Sequence, residues 1–404
     1  MRVEEANSIS RGGKGPIILV QLFYRGSTWK LLAVAIFFGM LFLPLFVFFH
    51  AGDSSEGTEF RTLAKRPEFS REAFLTGTFQ RKYADYLRDH FGFRTAFIQF
   101  HNRLKNGLFG DSAVSGVILG RKDWLFYSKK GLVQYSTENT GYPTPDQARL
   151  KSNFTKLGND FKARKIPLFL AVAPNKEAIY SEFLPAWYRA RFRQNPRLEN
   201  FLSSAASSQG LFSVGFHEFL LLSKAQGQLY HKTDTHWNGL GGALATIHLL
   251  NELRKVDSRI PAATLADFTK KIEGRPGDLG RMIADDYFRV ENDVRYSLEG
   301  HPTPEKSESV GRMNIYHNAK AVGAPRILLY CDSFGSEITQ HLIRLFKNVC
   351  FGEPKTNWYI SRIMLEKCQP DIAISLFVER RLMGHVDQLS RYVEDVASEG
   401  VDTD

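Results

Sequence analysis

The run LLAVAIFFGMLFLPLFVFF, Leu31 to Phe49, holds nineteen residues without a single charge. As a helix it extends about 28 Å, close to the ~30 Å hydrocarbon core of a bilayer. A surface helix of a water-soluble domain is not apolar all round, so the stretch reads as one transmembrane span. Pro44 lies inside it, which a membrane helix accommodates by local adjustment around the freed carbonyl. Arg2, Arg11, Lys14, Arg25 and Lys30 precede the run, against Glu4 and Glu5, whereas Asp53, Glu56 and Glu59 follow it. That bias makes residues 1–30 a cytoplasmic tail, 31–49 the anchor, and directs everything after it outward. A cleavable signal peptide is the competing reading. The run exceeds the usual apolar region of a signal, and HAGDSSEG offers no clear small-x-small cleavage site.

The chain has 404 residues, 43% hydrophobic and 24% charged, which is enough to bury a full-sized core and excludes a disordered or fibrous protein. Its formal charge is +10, and since five basic and two acidic residues precede residue 31, +7 lies beyond it. The surplus suits a polyanionic partner such as an acidic polysaccharide and equally suits plain solubility. An outward-facing domain argues against nucleic acid. Three cysteines are too few for a disulfide scaffold; Cys350 and Cys368 can pair in an oxidising compartment, with Cys331 left over, or all three are buried thiols.

Residues 50–75 are polar and irregular and read as a tether. The segment 76–144 is a helical and hairpin region expected to pack on the next domain: helix over much of Phe79 to Leu108 with a break near Gly92, then a hairpin at GVILGRKDWLFYS. From 145 to 400 helices and strands alternate. Asp146–Lys162, Arg197–Ser208, Gly239–Arg254, Glu337–Lys347 and Val386–Ala397 read as helices, and PLFLAVAP, RILLYC and DIAISLFVE as buried strands. Asn238 is the expected cap of the third helix. The alternation predicts an α/β sandwich around a mainly parallel sheet, with an insertion at about 257–320.

In such a sheet reactive groups gather at the carboxyl ends of strands. Ser333 stands at one, in RILLYCDSFGSE, between an apolar strand and a helix, where backbone N–H groups near Ser333 to Gly335 would face a developing oxyanion and Ser333 or Ser336 would start the helix. The alternative is that Asp332 and Ser333 only cap that helix. Gly110, Asp111 and Ser112 form a second Gly-Asp-Ser, but no strand precedes them and no helix follows, so they read as a turn. In YHKTDTHWNGLGG, Asp234 and His236 are two apart, so in extended chain they share a face about 6.6 Å apart at the α-carbons. The carboxylate can then orient the imidazole while the far nitrogen takes the Ser333 proton. Two other readings stand beside this triad: His231, Asp234 and His236 as metal ligands, or His236 as a structural histidine beside Trp237.

DTHWN at Asp234–Asn238, APNKEAIY at Ala173–Tyr180 followed by Leu184 and Pro185, GDLG at Gly277–Gly280, CDSFG at Cys331–Gly335 and PDIAISLFVER at Pro370–Arg380 together resemble the alginate O-acetyltransferase-like family. DHFGFR at Asp89–Arg94 and GRKDWLFY at Gly120–Tyr127 match the segment that the family carries ahead of its catalytic domain. The resemblance implies an SGNH-hydrolase-like domain with permuted motif order and no cofactor or metal. Ser333 would carry the acetyl group, His236 act as base and Asp234 orient it. It further implies a polysaccharide acceptor, a membrane-bound O-acyltransferase as donor partner, and a single-pass protein of the bacterial inner membrane acting in the periplasm. Cys331 stands where a small residue, often glycine, is common in the family, and would crowd the turn. Asn175, Lys176, Asn238 and Arg380, at strand or helix ends, are candidate pocket residues, the alternative being that they are caps or surface charges. Rival readings are an acetylesterase with the same triad and a non-catalytic polysaccharide-binding subunit whose Trp124, Trp237 and Trp358 stack on sugars.

Overall fold

The computed structural model describes residues 27–50, 63–109 and 116–391, except 130, 139–140, 195, 276, 284–290, 299, 301–303, 305, 311–312, 322, 353–359, 361 and 385. Residues 1–26, most of the expected tether, Gly110 to Ser112, Trp358, part of the expected insertion and the end of the last expected helix lie outside them. The chain divides into two compact units, Met1–Ile98 and Gln99–Asp404.

The first unit is helical. Helix α1 (Ser27–His50) contains Pro44 and is, over Trp29–His50, long and apolar enough to cross a membrane. Two further helices follow, α2 (Arg71–Leu75) and α3 (Thr78–His90). Ser70 caps α2 by accepting the Ala73 N–H at 3.1 Å. The expected break near Gly92 falls between α3 and α4 (Arg94–Phe109), a helix that runs across the unit boundary.

The second unit is a three-layer sandwich. A hairpin, β1 (Val117–Leu119) and β2 (Leu125–Tyr127), leads into it. Its seven-stranded sheet has the order β4-β3-β11-β9-β10-β8-β7. The parallel strands are β3 (Leu168–Ala173), β4 (Leu211–Gly215), β9 (Arg326–Cys331), β10 (Asn348–Gly352) and β11 (Ile372–Val378). Strands β7 (Lys306–Val310) and β8 (Met313–His317) extend one edge antiparallel. Because β3, β9 and β11 are covered on both faces, they read as continuous apolar runs, the reason they are legible without a period.

On one face Phe169, Ile327, Leu329, Ile374 and Leu376 pack with helices α8 (Gly239–Arg254) and α10 (Gly335–Leu345). On the other, Leu170, Leu328 and Phe377 pack with α5 (Thr144–Ala163) and α7 (Pro196–Ala206). Between these come the short α6 (Lys176–Ile179) and α9 (Asp278–Ile283). Of the stretch expected as an insertion, β5 (Phe268–Arg275) and β6 (Glu291–Leu298) form a separate two-stranded sheet, whereas β7 and β8 join the main one. Strands β4, β8 and β10 are short and flanked by polar residues, and the apolar pattern alone does not show them. Cys350 on β10 is joined to Cys368 at the end of α11 (Arg362–Cys368) by a disulfide, and Cys331 is buried.

Candidate active site

Three neighbouring parallel strands, β3, β11 and β9, end at one rim, and the residues just past them are Lys176, Arg380 and Ser333. After β9 the chain turns through Asp332. Its carboxylate accepts the Phe334 N–H at 3.0 Å and the Val378 N–H at 3.0 Å, pinning the turn to β11. Gly335 is required there because a Cβ would overlap the Cys331 side chain; the glycine makes the room that Cys331 takes up. Helix α10 begins after Phe334 with no side-chain cap, so neither Ser333 nor Ser336 starts it as expected. The expected row of oxyanion donors is also reduced. The Phe334 N–H is taken by the Asp332 side chain and the Gly335 N–H by the Asp332 carbonyl at 2.9 Å; among the described hydrogen bonds only the Ser333 N–H of the three is uncommitted.

The second component comes from the loop before α8. Tyr230 and Trp237 pair across it, and His231 N–H donates to the His236 carbonyl at 3.2 Å, which presents His236 outward. Its Nε2 lies 2.7 Å from Ser333 Oγ, and its Nδ1 lies 2.6 Å from Asp234 Oδ1. Phe334 seats both halves: the His236 ring lies 4.8 Å from it and the Trp237 ring 5.2 Å, edge to face. Asp234 also accepts the His236 N–H at 3.0 Å and, on its other oxygen, the Asp278 N–H at 3.0 Å. Burial alone would raise the Asp234 carboxyl. The His236 hydrogen bond and the charges of His236 and His231 overcome it and hold the group well below the usual carboxylate range.

Around this relay is a frame that residue types did not reveal. The Asp278 carboxylate takes the Thr235 N–H at 2.8 Å and hydroxyl at 2.7 Å, and Gly277 permits the approach because a Cβ would overlap the Thr233 carbonyl. Glu291 accepts the N–H groups of Lys232 and Thr233 at 2.8 and 2.9 Å. GDLG marked Asp278 only through resemblance, and no local signal distinguishes Glu291 from a surface glutamate.

The four residues expected to line a pocket go to different places. Lys176 is buried, and its ammonium donates to the carbonyls of His231, Lys232 and Asp234 at 3.1, 3.0 and 2.7 Å, beneath the rings of Trp124 and Phe126. It therefore clamps the loop from below, and burial draws its pKa down to about 8. Asn238 caps α8 by accepting the Gly241 N–H at 3.0 Å and ties back to the Gln228 carbonyl at 2.6 Å. Asn175 is buried, its N–H on Glu379 at 3.1 Å. Only Arg380 meets the rim, its guanidinium 5.4 Å from the Phe334 ring and 5.5 Å from Tyr127.

The alternative ligand set does not assemble either. His231 faces Asp293 at 3.5 Å, and among the described residues the groups close enough to share an ion are Asp234, His236 and Asp278. Trp124 and Trp237 are core residues, without a face for sugar stacking.

A family model described as SGNH hydrolase-like domain, acetyltransferase AlgX, matches residues 117–337, more than half of the 404. Among curated relatives, the probable alginate O-acetylase AlgJ of Pseudomonas aeruginosa is 26% identical over 168 residues, 41% of this chain and 40% of that protein. Its namesake in Pseudomonas putida is 27% identical over 135 residues, 32% of each chain. The matched region thus spans two fifths or less of those relatives. Bacillus cereus PatB1, solved with a sulfonyl adduct, superimposes with a TM-score of 0.51 at 16% identity, over 66% of this chain and 96% of that one, which shows a common fold. The chain accordingly belongs to the family of SGNH hydrolase-like acetyltransferase domains that AlgX represents.

Proposed function

We propose that this protein is an O-acetyltransferase that passes an acetyl group through Ser333 to a hydroxyl of an exopolysaccharide. The observation that carries it is the relay from Ser333 Oγ through the His236 ring to Asp234, with hydrogen-bond distances of 2.7 and 2.6 Å. His236 Nε2 takes the Ser333 proton while Oγ attacks the acetyl carbonyl carbon of the donor. The Ser333 N–H lies on the same residue to receive the oxyanion, and Asp234, ionised throughout, balances the imidazolium. As the intermediate collapses, the donor oxygen leaves with the proton held on Nε2. A sugar hydroxyl then yields its proton to His236, attacks the acetyl-serine carbonyl, and Ser333 Oγ departs reprotonated.

In this reading helix α1 anchors the chain in the bacterial inner membrane and the sandwich works in the periplasm. Cytosolic acetyl-coenzyme A is then on the wrong side, so the donor is a membrane-bound O-acyltransferase partner. Arg380 is the rim residue available to the acceptor. Mass spectrometry after exposure to an activated acetyl ester tests the covalent step: acetyl on Ser333 is expected, with none on Ser333→Ala. Polymer acetylation undiminished in Ser333→Ala would end the proposal. The ratio of acetylated oligosaccharide to free acetate separates transfer from an esterase's hydrolysis.

A further inference from the structure

Residues 63–98 share a compact unit with α1 and present a surface unlike that of a soluble domain. Phe69, Phe74, Leu75, Phe91, Phe93 and Phe97 are each 42 to 74% exposed. Soluble surfaces scatter such side chains singly. Here six fall within 36 residues.

Their neighbours indicate what covers them. Gly92 packs on α1 so closely that a Cβ there would overlap the Pro44 carbonyl, and Phe48 meets Tyr86 edge to face at 5.7 Å. From Tyr86 the ring contacts continue through Tyr83, Phe79 and Phe69 to Phe74, at centroid spacings of 6.0, 5.6, 5.4 and 5.9 Å. An aromatic ladder therefore leads out from the last third of a bilayer-length helix, and aromatic rings concentrate at membrane–water boundaries. Pro44 precedes the end of α1 by six residues, about 9 Å along the axis. Interfacial helices bury their apolar faces ~5–10 Å into the headgroup boundary, so the depths agree. Phe91 and Phe93 flank Gly92, the residue packed against Pro44. Charge agrees too: residues 63–98 carry seven basic and four acidic side chains, and one acid, Asp89, is turned inward to accept the Ala64 N–H at 2.8 Å. Basic segments beside a membrane helix are held by anionic lipid.

We infer that residues 63–98 form a collar lying in the headgroup region of the bilayer where α1 emerges, with the lipid surface as its partner. The inference rests on α1 being a membrane anchor. It replaces the tether expected for residues 63–75 with chain that follows the membrane.

Nitroxide labels on single introduced cysteines test it in the full chain, reconstituted in vesicles of phosphatidylethanolamine with phosphatidylglycerol as the minor component. Cys331 is buried and Cys350 and Cys368 are bridged, so a surface thiol labels selectively. Labels go at Phe74→Cys and Phe91→Cys, with Ile36→Cys inside α1 and Leu222→Cys on the sandwich as references. Collision rates with lipid-soluble oxygen and a water-soluble nickel chelate are then compared. The collar requires positions 74 and 91 to favour oxygen, as position 36 does, while position 222 favours the chelate. Labels at 74 and 91 behaving like 222, with 36 still in lipid, overturn the collar and leave the anchor standing. A water-exposed label at 36 overturns both.

Discussion

The two units of this chain solve the problem of apolar surface in opposite ways. In the sandwich both faces of the sheet are covered by helices, and the largest side chains, among them Trp237, Phe334 and Phe377, are almost fully buried. In residues 63–98 aromatic rings touch one another at tilted and edge-to-face angles, yet Phe69 and Phe74 stay open to the surroundings. The lesson is that the sandwich carries its own core, whereas the N-terminal helices are complete only against a non-aqueous partner. Chemistry follows the same division, because a proton relay needs the fixed distances that only the close-packed unit supplies.

The contrast breaks most sharply at the relay. His236→Ala should lower acetyl-ester turnover by about 10⁴-fold or more with the fold intact, measured as kcat beside a thermal melt. A loss of less than tenfold would mean the 2.7 Å contact with Ser333 is incidental. Next is the frame. Lys176→Met leaves three carbonyls, two of them in buried bonds, without their ammonium, so the sandwich should lose about 3 kcal/mol of stability, and kcat should fall about a hundredfold with KM little changed. If stability falls but kcat per folded molecule holds, the clamp is structural only.

Glu379 sharpens the comparison from within the core. Burial, helped by the charge of Glu177, pushes its carboxyl up to about 7 despite the Asn175 N–H and the Tyr135 hydroxyl. Its folded pKa therefore exceeds the unfolded value of ~4.3, so the native state binds the proton more tightly. This contribution is then fully present below about pH 4.3 and is lost as pH rises through 7, by an amount on the order of 3 kcal/mol. Glu379→Gln should remove that decline, raising Tm at about pH 8.5 and leaving it unchanged near pH 4. An equal rise at both pH values would point to packing instead. The smallest effect belongs to the other unit: Phe69→Ser should change unfolding of the sandwich by less than ~0.5 kcal/mol in a denaturant titration. A larger loss would show that the aromatic cluster supports the sandwich after all.

How much could be read in advance depended on range. Strand β9 and the turn at Ser333 are local patterns, and each appears where the residues imply; Asp234 and His236 do pair, but across bends rather than in the extended chain expected, Asp234 accepting the His236 N–H as well as meeting its ring. Asn238 caps its helix as its place before Gly239 implies, whereas Lys176 and Asn175 stand at the expected element ends but are buried there, Lys176 clamping the loop through its ammonium and Asn175 giving its backbone N–H to Glu379, which position along the chain does not reveal. Strand β8 is recruited into the main sheet only because β10 offers it an edge. The number of oxyanion donors escaped for a related reason: whether an N–H is spoken for depends on where the Asp332 carboxylate points.

By itself, then, the amino-acid order determined the membrane-length helix, the strand–turn–helix that lifts Ser333, and the two-residue spacing that lets Asp234 hold His236. It also determined the family, through motifs in a shared order. That Ser333 and His236 meet across 97 positions was decided by the tertiary structure alone, because the meeting depends on Phe334 seating the histidine loop, and on Lys176, Asp278 and Glu291 binding that loop's backbone. Local patterns follow from short-range sterics and solvent preference, which neighbouring residues carry with them. Convergence of distant loops follows from packing and long-range hydrogen bonds, which exist only once the sheet has closed.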